Sequence, residues 1–222
     1  MDFTKELEGI VGKFGTLVVF DVETSGLDFK RDKIIEYASV KFTAVDGKLL
    51  TSNRKFLIKF DGKLSAEVTA VTGLTDEILK SGMEREEAEE IILNDLFGQN
   101  CLIAAYNAQF DLNFVKNINS RPRLCACDYV DVMAIFRDRA PYPHKLANAA
   151  QRYGVSLKNA HDALSDATAT AEVLAAMARE RGDVEKYVNL FGYNPRYGVN
   201  GARLEGVEYR PQYYNATRPL YA

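Results

Sequence analysis

The chain is expected to fold as a mixed α/β sheet, three antiparallel strands and then parallel ones, flanked by helices. Three observations predict this. Residues 17–20, 34–45 and 49–60 form successive strand-like segments whose branched and aromatic side chains suit a pleated sheet. Asp46-Gly47 between the last two signals a tight hairpin, and hence antiparallel pairing. Beyond Cys101 the pattern changes to strand–helix alternation, which calls for parallel strands covered by helices.

The elements follow in order. Residues 2–11 pattern as a short amphipathic helix that Gly12 and Gly15 stop. The apolar run Leu17-Val18-Val19-Phe20 makes a buried strand that ends in Asp21 and Glu23. Residues 65–80 hold two short helical pieces broken at Thr72-Gly73. Residues 84–97 have helical spacing, with Ile91, Ile92, Leu93 and Leu96 towards the core and a glutamate-rich solvated face. Cys101-Leu102-Ile103-Ala104-Ala105-Tyr106 reads as a buried strand, after which Asn107 is placed to cap a helix over 108–117. Arg121-Pro122 breaks the chain before a short strand at 124–127 and a helix over 130–137. Pro141 and Pro143 punctuate again, and a helix over 145–153 ends at Gly154. The last long helix opens at His161-Asp162, with Asp162 as its cap, and runs to about Arg181. Leu164, Ala167, Ala171, Leu174 and Ala178 form its apolar stripe.

Composition narrows the class. At 222 residues, 47% hydrophobic and 27% charged, the chain suits one sizeable soluble core plus an appendage. A net charge of -3 gives no global field for nucleic acid, although a locally basic surface could still surround an acidic site. Cys101, Cys125 and Cys127 are too few for a disulfide framework, and Cys125-x-Cys127 lacks the partners of a zinc site. No apolar run approaches the ~18 residues of a membrane span, and residues 1–14 are too polar for a signal peptide. A cytoplasmic location without membrane partners is expected.

The chemistry concentrates in acids. On a strand, Asp21 and Glu23 project from the same face, where two carboxylates repel and desolvation is costly. A divalent cation removes that cost, and hard oxygen ligands suit Mg²⁺ or Mn²⁺. Asp111 and Asp166 each lie near the start of a helix, at the strand ends where α/β sites gather. Taken alone, both also fit charge complementarity at a helix N-terminus, and Asp21 and Glu23 also fit a strand ending in solvent. His161 is one of two histidines; His144, beside Pro143, reads as structural. Four carboxylates and a histidine are the parts of two-metal phosphodiester hydrolysis, in which two cations roughly 4 Å apart bind the phosphate. A neutral imidazole can take the proton of the attacking water.

Three segments then carry a resemblance. Phe20-Asp21-Val22-Glu23-Thr24-Ser25-Gly26-Leu27, Asn107-Ala108-Gln109-Phe110-Asp111 and His161-Asp162-Ala163-Leu164-Ser165-Asp166-Ala167 resemble the three motifs of the DEDDh exonucleases. This DnaQ-like family includes the proofreading epsilon subunit of bacterial DNA polymerase III. Val71-Thr72-Gly73-Leu74-Thr75 resembles a helical turn between the first two motifs, with Thr72 where the family often has His. The resemblance covers residues 15–181 and implies an RNase H-like fold. It implies hydrolysis of nucleic acid, DNA first, from a free 3′ end to 5′-monophosphates with two Mg²⁺ or Mn²⁺ ions. It makes Asp21, Glu23, Asp111 and Asp166 metal ligands and His161 the general base. It also places the backbone of Val22 and Thr24 at the 3′ end, Leu27 as an apolar wedge against the terminal bases, and Asn107 and Phe110 beside the substrate. Lys30, Arg31 and Lys33 could meet phosphates or form a solvated cluster.

The expected organisation is a nuclease domain over 1–182 and a Tyr-rich extension over 183–222, which holds seven of the 12 tyrosines. Tyrosine–arginine mixtures suit protein interfaces and single-strand stacking, so the extension could dock on its own domain, on strand or on a second copy. A polymerase partner would be needed for proofreading. Two other readings stay open: an exoribonuclease acting on RNA ends or short oligoribonucleotides, and a non-catalytic nucleic-acid-binding module.

Overall fold

The computed structural model describes residues 2–98, 101–118, 127–158, 161–213 and 218–222. The expected mixed sheet is present: β1 (Thr16–Thr24), β2 (Ile34–Val45), β3 (Lys48–Leu57), β4 (Leu102–Ala105) and β5 (Asp128–Asp131), in the order β3-β2-β1-β4-β5. β1 and β2 run antiparallel, as do β2 and β3 across the Asp46-Gly47 hairpin, whereas β4 and β5 join parallel to β1.

Alternation along β1 builds two apolar layers. Leu17 and Val19 enter a core with α1 (Thr4–Phe14), α6 (Val132–Arg137), α7 (Leu146–Tyr153) and α8 (Ala163–Glu180). Val18, Phe20 and Val22 enter the opposite layer with α4 (Arg85–Phe97) and α5 (Ala108–Lys116). Two short helices, α2 (Ala66–Thr72) and α3 (Asp76–Leu79), are broken at Gly73 as expected. α4 is tied to β2 through its buried Asp95, which accepts from Tyr37 Oη at 2.8 Å and pairs with Lys41 Nζ at 3.0 Å.

Several boundaries differ from expectation, each for a physical reason. α1 continues through Gly12 because Leu7, Ile10 and Val11 bury its inner face, and it stops at Gly15 with φ 78°. Burial outweighs the roughly 1 kcal/mol that a helical glycine costs. β3 ends at Leu57 rather than residue 60, where Ile58 turns to bridge Met83. The strand expected at 124–127 lies at Asp128–Asp131, and α6 starts at Val132 because the Asp131 carboxylate caps Met133 N–H. Residues 124–126, with Cys125 and Arg121-Pro122, lie outside the described residues. In α8, Leu164 and Ala178 are only half-buried, while Ala169, Thr170, Val173, Ala175, Ala176 and Met177 are buried too. The helix is enclosed on more than one side. In α4, Ile92 and Leu96 are buried but Ile91 and Leu93 are half-buried.

Beyond α8 the chain lies back on this body. A 3-10 turn (Val184–Tyr187) and two parallel strands, β6 (Leu190–Tyr193) and β7 (Glu208–Pro211), feed both apolar layers. Val184, Tyr187, Leu190 and Leu220 join the α8 side, and Phe191 joins the α5 side. Tyr187 Oη donates to buried Asp138 at 3.0 Å, and Gln212 Nε2 donates to Asp138 and to the Ala134 carbonyl, both at 2.8 Å. Tyr197 and Tyr213 stay exposed, and Tyr214 lies outside the described residues.

Candidate active site

Because Leu17 and Val19 face α8, strand alternation carries Asp21 and Glu23 to the same face at the carboxyl end of β1. α8 starts there and brings Asp166 and His161. One ligand atom from each of Glu23, His161 and Asp166 lies within 4.8 Å of the others. Asp111 arrives from α5 and accepts a hydrogen bond from Val22 N–H at 3.3 Å, between the two β1 acids. The five residues singled out for chemistry are therefore gathered at one place.

Two left-handed residues aim the helices. His161 has φ 67°, and its N–H donates to Asp166 Oδ2 at 3.2 Å. Asn107 has φ 70° and does not cap α5 through its side chain, contrary to expectation. The buried Asp131 does that work from β5: its Oδ1 accepts from Asn107 N–H at 3.1 Å and Ala108 N–H at 3.4 Å. A residue outside the segment supplies the acceptor, so the local sequence could not show it.

Glu36 is the residue that the sequence reading missed. It sits opposite Glu23 on β2, is buried, and accepts from Ala163 N–H in the first turn of α8 at 3.1 Å. Lys55 of β3 bridges Glu36 at 3.3 Å and pairs with Asp162, the residue whose carboxylate caps Ser165 N–H. Glu36, Lys55 and Asp162 thus fasten the start of α8 to the sheet. The only sequence signal was an acid in the apolar run of β2.

The loop after β1 is held by Thr24 Oγ1 donating to Gly26 O at 2.6 Å and by Lys33 N–H donating to Ser25 Oγ at 3.0 Å. A Cβ on Gly26 would meet the Asp32 carboxylate and push it from the bond it accepts from Asp28 N–H at 2.8 Å. Leu27 projects from this loop at 83% exposure. Arg31 pairs with Asp28, and Lys30 lies 6.0 Å from the Phe29 ring centroid, so part of the basic cluster is held locally. His144 is buried with Nε2 2.8 Å from Ala140 O, as its structural reading anticipated.

The acids disturb one another. Burial, then the charges of Asp111, Glu23 and Asp166, hold the Asp21 carboxyl well above its ordinary range. Burial, followed by Asp166 and Glu36, pushes Glu23 up to about 8. Asp111 is raised by burial against the opposing hydrogen bond from Val22, and Asp166 by burial against that from His161. Asp166 Oδ1 is buried with no hydrogen-bond partner among the described residues. An orphaned oxygen beside three crowded carboxyls is a donor set that divalent cations fit, since they bind the ionised acids and cancel their repulsion.

The exonuclease family model RNase_T matches residues 18–174. Curated relatives include the PolC-type DNA polymerase III of Latilactobacillus sakei subsp. sakei (strain 23K), 30% identical over 92% of this chain and 13% of the relative. That of Clostridium perfringens (strain 13 / Type A) is 33% identical over 71% of this chain and 11% of the relative. The chain therefore spans a small part of these polymerases. Among solved structures, E. coli exonuclease I in complex with a dA16 oligonucleotide aligns with a TM-score of 0.67 and 19% identity, over 78% of this chain and 42% of that one. Exonuclease X in complex with 5′ overhanging duplex DNA aligns with a TM-score of 0.58 and 21% identity, over 77% and 96%. These likenesses agree with the RNase H-like fold. With the family match running from β1 into α8, the elements that carry Asp21 and Asp166, the chain belongs to the RNase_T family of DnaQ-like exonucleases.

Proposed function

We propose that the chain is a divalent-metal-dependent exonuclease that hydrolyses DNA from a free 3′ end and releases 5′-monophosphates. The observation that carries this reading is the convergence of Asp21, Glu23, Asp111, Asp166 and His161, with Asp166 Oδ1 buried and unpartnered among the described residues. Asp21, Glu23, Asp111 and Asp166 would hold Mg²⁺ or Mn²⁺. Bound there, the cations supply Lewis acidity to the scissile phosphate and a more acidic attacking water. His161 lies at the exposed rim of the acids and takes the water proton on a ring nitrogen. Its N–H bond to Asp166 ties its backbone to that acid.

Leu27 supplies the preference for an end. An exposed leucine beside the acids gains burial by wedging against the terminal base, and unstacking is cheapest where a strand is single or mismatched. Backbone at Val22 and Thr24 would seat the 3′ terminus, with Asn107 and Phe110 along the incoming strand. Likeness to a part of PolC-type DNA polymerase III supports DNA over RNA as this chain's substrate, and proofreading for a polymerase partner is the role it suggests. Degradation of strands labelled at the 5′ end tests direction: products should shorten stepwise from the 3′ end with Mg²⁺. Rapid cutting of a closed single-stranded circle would contradict the need for an end.

A further inference from the structure

The extension after α8 places an aromatic–cationic pair beside the active site. The turn Asn194-Pro195-Arg196-Tyr197-Gly198 is tightly built: Arg196 N–H donates to Asn194 Oδ1 at 2.9 Å, and Tyr197 and Gly198 N–H donate to Asn194 O at 3.0 and 2.9 Å. Gly198, at φ +72°, closes it where a side chain would be strained. At its apex Tyr197 is 74% exposed, with the Arg196 guanidinium 5.5 Å from its ring centroid. Elsewhere in the extension Tyr187 is buried, Tyr193, Tyr209 and Tyr221 are partly covered, and Tyr213 is the other exposed ring among the described residues.

Two clefts connect the turn to the acids. One, of about 220 Å³, lies between Tyr193 and Tyr197 on the extension and Asn107, Phe110 and Arg137 on the body. The other, of about 460 Å³, is bordered by Arg137 again, with Tyr142, Lys145, His161 and Asp166. Arg137 lines both, so the two clefts adjoin at this residue, a two-part groove between His161 and the turn. Its exposed rings are Tyr142 at 80% and Tyr197 at 74%. Arg137 and Lys145 line it, and Arg196 stands beside Tyr197 at its end, in a chain of net charge -3. Asp131, the acid in the smaller cleft, is buried with its Oδ1 accepting from Asn107, Ala108 and Met133 N–H. Rings for stacking interleaved with cations for phosphates are what an unpaired strand needs, whatever its sequence.

We propose that this groove is the track for single-stranded nucleic acid upstream of the scissile phosphate, with Arg196 and Tyr197 as its far end. This rests on the nuclease reading above and extends it to a part of the chain outside the matched family segment. The extension is then a strand-binding arm that makes affinity grow with substrate length.

Fluorescence anisotropy with Mg²⁺ and cleavage-resistant phosphorothioate strands tests the track. The probes are a dinucleotide and an oligonucleotide long enough to reach the turn. The wild type should prefer the longer probe, and Arg196→Ala/Tyr197→Ala should weaken its binding on the order of tenfold, within the range of base–aromatic stacking. Tyr197→Phe, which keeps the ring, should bind it as the wild type does. Both apex side chains are exposed, so the variants should melt as the wild type does. A double variant that holds the long probe as tightly as the wild type overturns the track, as does a wild type indifferent to length. That second result would fit a protein-binding role for the turn. Cleavage of ordinary strands is scored in parallel: a wild type that binds but never cuts sinks the nuclease reading, while the length comparison still decides the track.

Discussion

Glu23 and His161 respond to opposite demands at the same spot. Glu23, pushed up to about 8 from its ordinary 4.5, keeps its proton in the folded protein over a range where the unfolded chain releases it. Between those values the folded state binds more protons, so metal-free stability falls as pH rises from about 4.5 to about 8. Thermal denaturation in EDTA should therefore show a lower midpoint at pH 8 than at pH 5, and added Mg²⁺ should restore more at pH 8. A midpoint unchanged across that range would show that these carboxyls do not crowd one another. His161 must be neutral to accept a proton, and its replacement by Ala should lower turnover on the order of 10²–10⁴-fold, with strand binding affected far less. An unchanged rate in purified His161→Ala would place the base elsewhere. At this scale the sequence is informative where spacing within one element fixes geometry, as for Asp21 and Glu23 on β1. It is silent on Glu36, whose partners Ala163 and Lys55 come from α8 and β3.

At the scale of elements, α8 matters because its first turn carries Asp166 while its body is locked in the core. The Glu36–Lys55–Asp162 link sets where that turn sits. Glu36→Ala would leave the Ala163 N–H without its acceptor in a buried place, which costs roughly 1–3 kcal/mol. Urea denaturation should show that loss, and activity should fall through displaced Asp166 even at pH values where the variant is fully folded. Wild-type stability and rate in Glu36→Ala would show that α8 is held by packing alone. Helices with strong periodicity and clear stops, such as α7 ending at Gly154, are readable from local residues. β5 is not, because its strand character comes from parallel pairing with β4 and not from its own Asp-Tyr-Val-Asp run. The cap of α5 is hidden for the same reason, since Asp131 reaches it from another strand.

For the molecule as a whole, the extension is less separable than a boundary at Gly182 suggests. Tyr187, Leu190, Phe191 and Leu220 sit in the same apolar layers as the sheet, and Arg139, inaccessible to solvent, pairs with Asp183. Truncation after Gly182 should consequently lower the unfolding midpoint sharply as well as weaken the grip on strand. A truncated chain as stable as the intact one would mean that these contacts contribute nothing. The tyrosine content showed that something had to be covered, but which rings dock and which face the groove depends on the fold they lie upon. The proposed activity requires the gathered acids to hold its cations. It is tested most directly by incubating wild type and Asp21→Ala with a single-stranded DNA bearing a free 3′ end, with Mg²⁺ and with EDTA. The expected result is release of mononucleotides by the wild type with Mg²⁺ alone, and near-complete loss in EDTA and in the folded Asp21→Ala variant. Undiminished release in chelator, or by Asp21→Ala, would contradict it.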